Sequence, residues 1–151
     1  MLNMNINGKK YTFEFSIEAS MYADCTENVM ELFSTLSEAQ NKEEVKEVIK
    51  GIANIPKVAV TMFYAGLMEH HGVDGDRTVM SVSDAKKLIK EYLYEHKDDG
   101  TGDFYSIMEE MMGCMADDGF FDLIGLSKMM KQTEEKLPKV PQDHKRKATK
   151  K

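Results

Sequence analysis

Residues 2–16 alternate. Leu2, Met4 and Ile6 precede an Asn7-Gly8 pair, and Tyr11, Phe13 and Phe15 follow it. Apolar residues at every second position on both sides of Asn-Gly predict a β-hairpin, because both central residues of a type I′ turn need positive φ. The expected strands lie near 2–6 and 10–16, and the chain shows no other strand pattern. A lone hairpin is marginal in water, so its apolar face is expected to rest on helices.

From Ile17 the period becomes helical: Met21, Cys25, Val29, Leu32, Phe33 and Leu36 recur at steps of three and four. The polar stretch Ser37–Lys42 ends this stripe. A second helix starts near Glu43 with Val45, Val48 and Ile49, and Gly51 to Pro56 marks an interruption. Pro56 suits the first turn of a further helix, in which Val58 to Met68 is apolar nearly all round. A helix without a polar face belongs at the centre of a fold. It closes at His70-His71-Gly72, with Gly72 a natural residue to follow the last turn and the histidines placed to help satisfy the last carbonyls.

After a loop over 73–80, Ser81 or Ser83 can cap a helix striped by Ala85, Leu88, Ile89, Tyr92 and Leu93. An acidic loop, Asp98 to Gly102, leads to a helix marked by Phe104, Ile107, Met108, Met111 and Met112, which closes at Ala116 to Gly119. Phe120 to Met130 reads as a last short helix. The expected fold is therefore mostly α: a small all-α domain over residues 1–135 with an N-terminal β-hairpin (2–16), then a disordered, flexible basic tail over 136–151.

Charge sharpens that division. The chain carries a net −6, yet Lys136, Lys139, Lys145, Arg146, Lys147, Lys150 and Lys151 stand against Asp143 alone in the tail. The tail is +6 and the remainder −12. An acidic body with a basic tail is not the pattern of a nucleic-acid reader, whose basic residues line a folded face. A nucleic-acid role would rest on residues 136–151 only. No apolar run reaches the ~18–20 residues of a membrane span, and MLNMNINGKK has no secretory apolar core. The two cysteines, Cys25 and Cys114, are far apart and read as small buried hydrophobes.

Candidate chemistry is sparse. For a calcium loop starting at Asp98, glycines fall at the third and fifth positions; starting at Asp99 puts Phe104 where the obligatory glycine belongs. Glu69-His70-His71 does not give the i, i+4 pair of a helical zinc site. No phosphate loop, dinucleotide fingerprint or nucleophile elbow is present. The residues offer no catalytic constellation, so a non-enzymatic chain without cofactor or metal is expected.

Methionine changes the picture. There are 13, with Met111, Met112 and Met115 clustered, and Met129 and Met130 close to Phe120, Phe121, Leu123 and Ile124. Flexible, polarizable Met surfaces recur where a protein grips varied apolar helices. The order of elements adds to this. A short strand, Asn7-Gly8-Lys9, then Tyr11-Thr12-Phe13-Glu14-Phe15 running straight into a helix, resembles the tail assembly chaperones of long-tailed, siphovirus-type bacteriophages. The Phe63-Tyr64-Ala65-Gly66-Leu67 helix ending in His70-His71-Gly72, with a capped helix and an acidic loop after it, is similar to the same family over roughly residues 1–130.

The resemblance implies a protein of the infected bacterial cytoplasm, absent from the mature virion. Such a protein binds and solubilises the long helical tape measure protein and helps recruit tail tube subunits. It also implies a frameshift-extended form, and Lys150-Lys151 is compatible with an adenine-rich slippery run. Tyr64, Met111, Met112, Met115, Phe120 and Phe121 are the candidate partner-binding residues. The family's multimers imply self-association, for which the hairpin's edge strand offers unpaired main-chain groups. The alternative is a small non-catalytic phage or mobile-element regulatory domain that binds a host protein.

Overall fold

The computed structural model describes residues 1–41, 45–129 and 131, with side chains placed for 1–34, 49–129 and 131. The basic tail expected over 136–151 lies outside the described residues, as do Met130 and the side chain of Leu36. The chain is mostly helical, with an N-terminal two-stranded antiparallel hairpin: β1 (Leu2–Ile6), β2 (Lys9–Phe13), α1 (Ile17–Met21), α2 (Ala23–Asn41), α3 (Val45–His71), α4 (Val82–Glu95), α5 (Phe104–Asp117) and α6 (Phe120–Leu123).

The hairpin forms as its pattern dictates. Asn7 and Gly8 both have positive φ, 50° and 73°, and the register pairs Ile6 with Lys9, Met4 with Tyr11 and Leu2 with Phe13. Met4, Ile6, Tyr11 and Phe13 are buried on one face, and Phe15 joins them just past β2.

Helix α3 is the axis of the fold, packing against α2, α5, β2, α1 and α4. Its residues Val58, Ala59, Met62, Phe63, Ala65 and Leu67 are buried, as an all-apolar helix requires. Two edge-to-face ring pairs tie the hairpin strand to the helices: Phe13 to Phe63 (centroids 4.7 Å apart) and Phe15 to Phe120 (5.6 Å). Such pairs add about 0.5–1.5 kcal/mol each beyond area burial.

Several boundaries differ from the periodicity. The interruption expected over Gly51 to Pro56 is absent: α3 runs through Pro56. Proline removes one i to i−4 bond, but apolar burial on the following turns holds the helix together across it. The single helix expected from Ile17 is two, because Tyr22 is extended (φ −83°, ψ 90°) and its ring meets Tyr64 edge-on at 5.3 Å. That break rotates Met21 out of the buried stripe of Cys25, Val29 and Leu32, leaving it 76% exposed. The last helix expected to run from Phe120 to Met130 stops at Leu123, because Gly125 takes φ +79°; residues 126–129 are helical again. Ser81, rather than Ser83, caps α4, accepting from the Asp84 N–H while its hydroxyl donates to the Asp84 carboxylate.

The end of α3 also departs from expectation. Gly72 does not adopt a left-handed conformation; a Cβ there would collide with the Met68 carbonyl. The carbonyls of His70 and His71 are taken by the N–H groups of Asp76 (2.9 Å) and Val79 (2.8 Å). The histidine rings are thereby free to serve the hairpin.

Gly66 sets how closely hairpin and helix approach. A Cβ there would lie 3.1 Å from Phe13 Cδ1 and 3.3 Å from Phe15. Both rings are fully buried and held by their edge-to-face partners, so neither can give way. Gly66→Ala is expected to destabilise the fold by roughly 1–3 kcal/mol, overriding the ~1 kcal/mol helix-propensity gain of alanine. Urea unfolding followed by circular dichroism measures it, and a stabilised variant would refute this account of the packing.

Candidate functional site

The C-terminal turn of α3 and the outward side of the hairpin meet residue by residue. The Ser16 hydroxyl donates to the Glu69 carboxylate, His70 Nε2 lies 2.7 Å from Glu14 Oε2, and the Thr12 N–H donates to His71 Nε2 at 3.0 Å. The Glu14 N–H donates to the Gly66 carbonyl at 2.8 Å. Successive helix residues thus serve alternate strand residues, the geometry that results when a helix end lies along a strand edge. Because Nε2 accepts a main-chain N–H, buried His71 is a neutral ring with its proton on Nδ1, donating to Asp76 Oδ2 at 3.0 Å. An Asp–His pair resembles a catalytic dyad. Here the ring nitrogen that would face a substrate is already occupied by Thr12, so the pair fastens the hairpin.

Other reactive groups are likewise committed. Burial pushes the Cys25 thiol up to about 12, and burial with Asp118 alongside does the same for Cys114. Neither is a thiolate at neutral pH. In the acidic loop, the Thr101 hydroxyl, His96 and the Thr101 N–H hold the Asp99 carboxyl at about 2. Asp103 caps α5 through the Ser106 N–H at 2.9 Å. Among the described residues no three His, Cys, Asp or Glu side chains converge to hold a metal, and no helix is long and apolar enough to cross a membrane.

Two surface features remain. One is an open groove of about 640 Å³ where α2, α3 and the start of α4 meet. Asp24 and Glu27 of α2, Lys57 of α3 and Lys86 of α4 are among its lining residues. Its inner polar groups satisfy one another: Asn28 donates to Thr61 Oγ1 at 3.1 Å, and that hydroxyl donates to the Lys57 carbonyl at 2.9 Å. The groove contains no nucleophile and base pair.

The second feature is apolar. Helix α6 lies against α1, and Phe121 of α6 meets Phe33 of α2 edge-on at 6.2 Å. Ile17 (64% exposed) and Met21 of α1, Phe33 (40%) of α2 and Leu123 (51%) of α6 present large apolar side chains to solvent on elements that pack against one another. Ile17 and Met21 share a face at i, i+4. Large apolar side chains exposed on adjoining elements are candidates for an interaction surface.

The candidate partner-binding residues divide. Met111, Met115 and Phe120 are fully buried and unavailable to a partner in this conformation, because α5 turns its methionine stripe onto α3 and Phe120 closes over Phe15. Tyr64, Met112 and Phe121 are half-buried against the core. Of these, Phe121 joins the apolar face. Tyr64 packs on Tyr22 beside the groove. Sequence reasoning missed Ile17, Met21, Phe33 and Leu123. Helical periodicity places Met21 and Phe33 in one inward stripe, whereas they are 76% and 40% exposed.

No family model, curated protein or solved structure matches the chain. The functional reading therefore rests on this geometry and on the resemblance in its sequence.

Asp118 fixes where α1 and α6 meet. Its carboxylate receives the Met1 ammonium, the Phe15 N–H (2.9 Å) and the Cys114 thiol (3.3 Å). Burial alone would raise its carboxyl, but these donors hold it below the ordinary value of 3.8. A carboxylate lowered in the fold contributes stability above its ordinary value, and that contribution is lost as pH falls through the folded one. Asp118→Asn is expected to cost about 1–3 kcal/mol at pH 7. Its deficit relative to the parent should shrink as pH drops below about 4. Chemical denaturation across that range measures both, and a deficit independent of pH would overturn the assignment.

Proposed function

We propose that this chain is a tail assembly chaperone of the long-tailed phage type, which binds and solubilises the tape measure protein and helps recruit tail tube subunits around it. The observation that carries this reading is the exposed apolar face of Ile17, Met21, Phe33, Phe121 and Leu123 on an otherwise acidic body. A helix-binding chaperone needs a surface on which the apolar stripe of a client helix can lie, with enough like charge around it to keep the complex dissolved. It needs no catalytic group. Met21, unbranched and flexible, suits a client whose apolar residues vary along its length.

On this reading the protein works in the cytoplasm of the infected bacterium, does not enter the virion, and has a frameshift-extended counterpart. Co-expression with the long coiled-coil protein encoded downstream tests it. That protein should be insoluble alone, and soluble and co-purified when this chain is present. Met21→Lys with Leu123→Lys should reduce the captured client on the order of tenfold, equivalent to ~1.4 kcal/mol, with the unfolding midpoint unchanged because both positions are exposed. A downstream protein that is soluble alone and does not co-purify would transfer the reading to a host-binding regulatory domain.

A further inference from the structure

Two consecutive histidines at the end of α3 hold the hairpin, and they do so in opposite ways. His71 serves as a base: its Nε2 lone pair accepts the Thr12 N–H at 3.0 Å. His70 sits beside an acid, with its Nε2 2.7 Å from Glu14 Oε2, an ion pair once the ring is protonated. Glu14 has a second hold that does not titrate, since its N–H donates to the Gly66 carbonyl at 2.8 Å. Phe15 follows, with its N–H on the Asp118 carboxylate at 2.9 Å. The Thr12 N–H relies on His71.

Histidine is the side chain whose ordinary charge change falls between about pH 5 and 8. Once protonated, both ring nitrogens are donors and neither can accept. A charged His71 sets its Nε2–H against the Thr12 N–H, and no rotation of the ring restores an acceptor. On its other side the charge is welcome, because Asp76 Oδ2 lies 3.0 Å from Nδ1. Burial works against the Asp76 charge, but donors from Thr78 and His71 hold its carboxyl below the ordinary 3.8. From β2 the Tyr11 ring lies 5.2 Å from the His71 ring, with the Lys9 ammonium 5.1 Å from the Tyr11 centroid. Arg77 in the loop turns its guanidinium to the Val73 carbonyl, and Glu69 of α3 is taken by the Ser16 hydroxyl. Helix α4 reaches the hairpin at its turn, where the Glu95 carboxylate takes the Asn7 N–H. The proton that completes an ion pair with Asp76 is thus the one that ends the bond to the strand.

We propose that the grip of α3 on β2 is a pH-dependent latch, in which protonation of His71 releases the Thr12 N–H while protonation of His70 tightens the hold on Glu14. Acid frees the turn side of β2 and leaves the strand anchored at Glu14 and Phe15. The device is separate from the apolar side chains of α1 and α6 and holds whatever they bind.

Amide hydrogen exchange and heteronuclear NMR on the full chain between about pH 8 and 5 test it. The Thr12 protection factor should fall roughly tenfold, as one lost hydrogen bond implies, in step with the His71 ring signals. The Glu14 amide is the internal control and should stay protected, because the Gly66 carbonyl does not titrate in this range. His71→Gln offers Thr12 an amide oxygen that takes up no proton, and should keep that amide protected throughout. Should this variant fail to fold, Asp76→Asn removes the charge that favours the imidazolium and should move the Thr12 transition to lower pH. A His71 ring that stays neutral down to about pH 5 overturns the proposal. So does a ring that titrates while Thr12 keeps its protection, or a transition in which the Thr12 and Glu14 amides open together. A Thr12 transition that persists in His71→Gln, or that Asp76→Asn leaves in place, overturns it equally.

Discussion

The close approach of β2 to the end of α3 governs this fold. A hairpin alone is marginal in water, and here the end of its second strand is fastened to α3 through the Thr12 and Glu14 N–H groups. Gly66 permits contact at van der Waals distance, Phe13 and Phe15 fill the space it leaves, and the main-chain donors that would otherwise be stranded go to the Gly66 carbonyl and to His71. Apolar packing and main-chain satisfaction reinforce one another at the same place. Loss of either would expose the other to solvent or bury an unpaired donor.

From that junction the rest of the molecule follows. Phe15 leaves the strand held by Asp118 at the end of α5, and Ser16, capping α1, is tied to Glu69. The start of α1 is thus set relative to α3 and α5 before any contact of its own. Because α1 is a single short turn ended by extended Tyr22, it cannot bury Ile17 and Met21 as well as Ala19. Helix α6, broken by Gly125, is too short to cover them. The exposed apolar side chains of α1 and α6 therefore follow from the shortness of both helices.

The buried titratable groups are engaged by neighbours within the fold. His71 is neutral by geometry, Asp118 is held ionised by three donors, and the two thiols are kept protonated by burial. Each has its proton inventory fixed by neighbours within the chain. The acidic excess lies mainly on the surface, where it favours solubility and discourages non-specific association.

Local pattern was enough for those features whose cause is local. Asn7-Gly8 between alternating runs determined the hairpin and its turn. The unbroken apolar stretch from Val58 to Met68 determined which helix is central. The serines ahead of the apolar stripe placed the start of α4 to within two residues, and the structure selects Ser81 over Ser83. Features with causes distant in sequence were not legible. Periodicity placed Met21 in the core and could not see that Tyr22 would leave the helix to meet Tyr64, more than forty residues away. It marked Pro56 as a boundary, since a proline costs a bond locally, whereas burial on both sides of α3 decides that the helix continues. It read Met111, Met115 and Phe120 as candidates for a partner and could not distinguish the stripe that meets α3 from one that meets solvent. Which hairpin edge is fastened depends on where the end of α3 comes to lie. That is a property of packing between segments some sixty residues apart, and only the tertiary structure decides it.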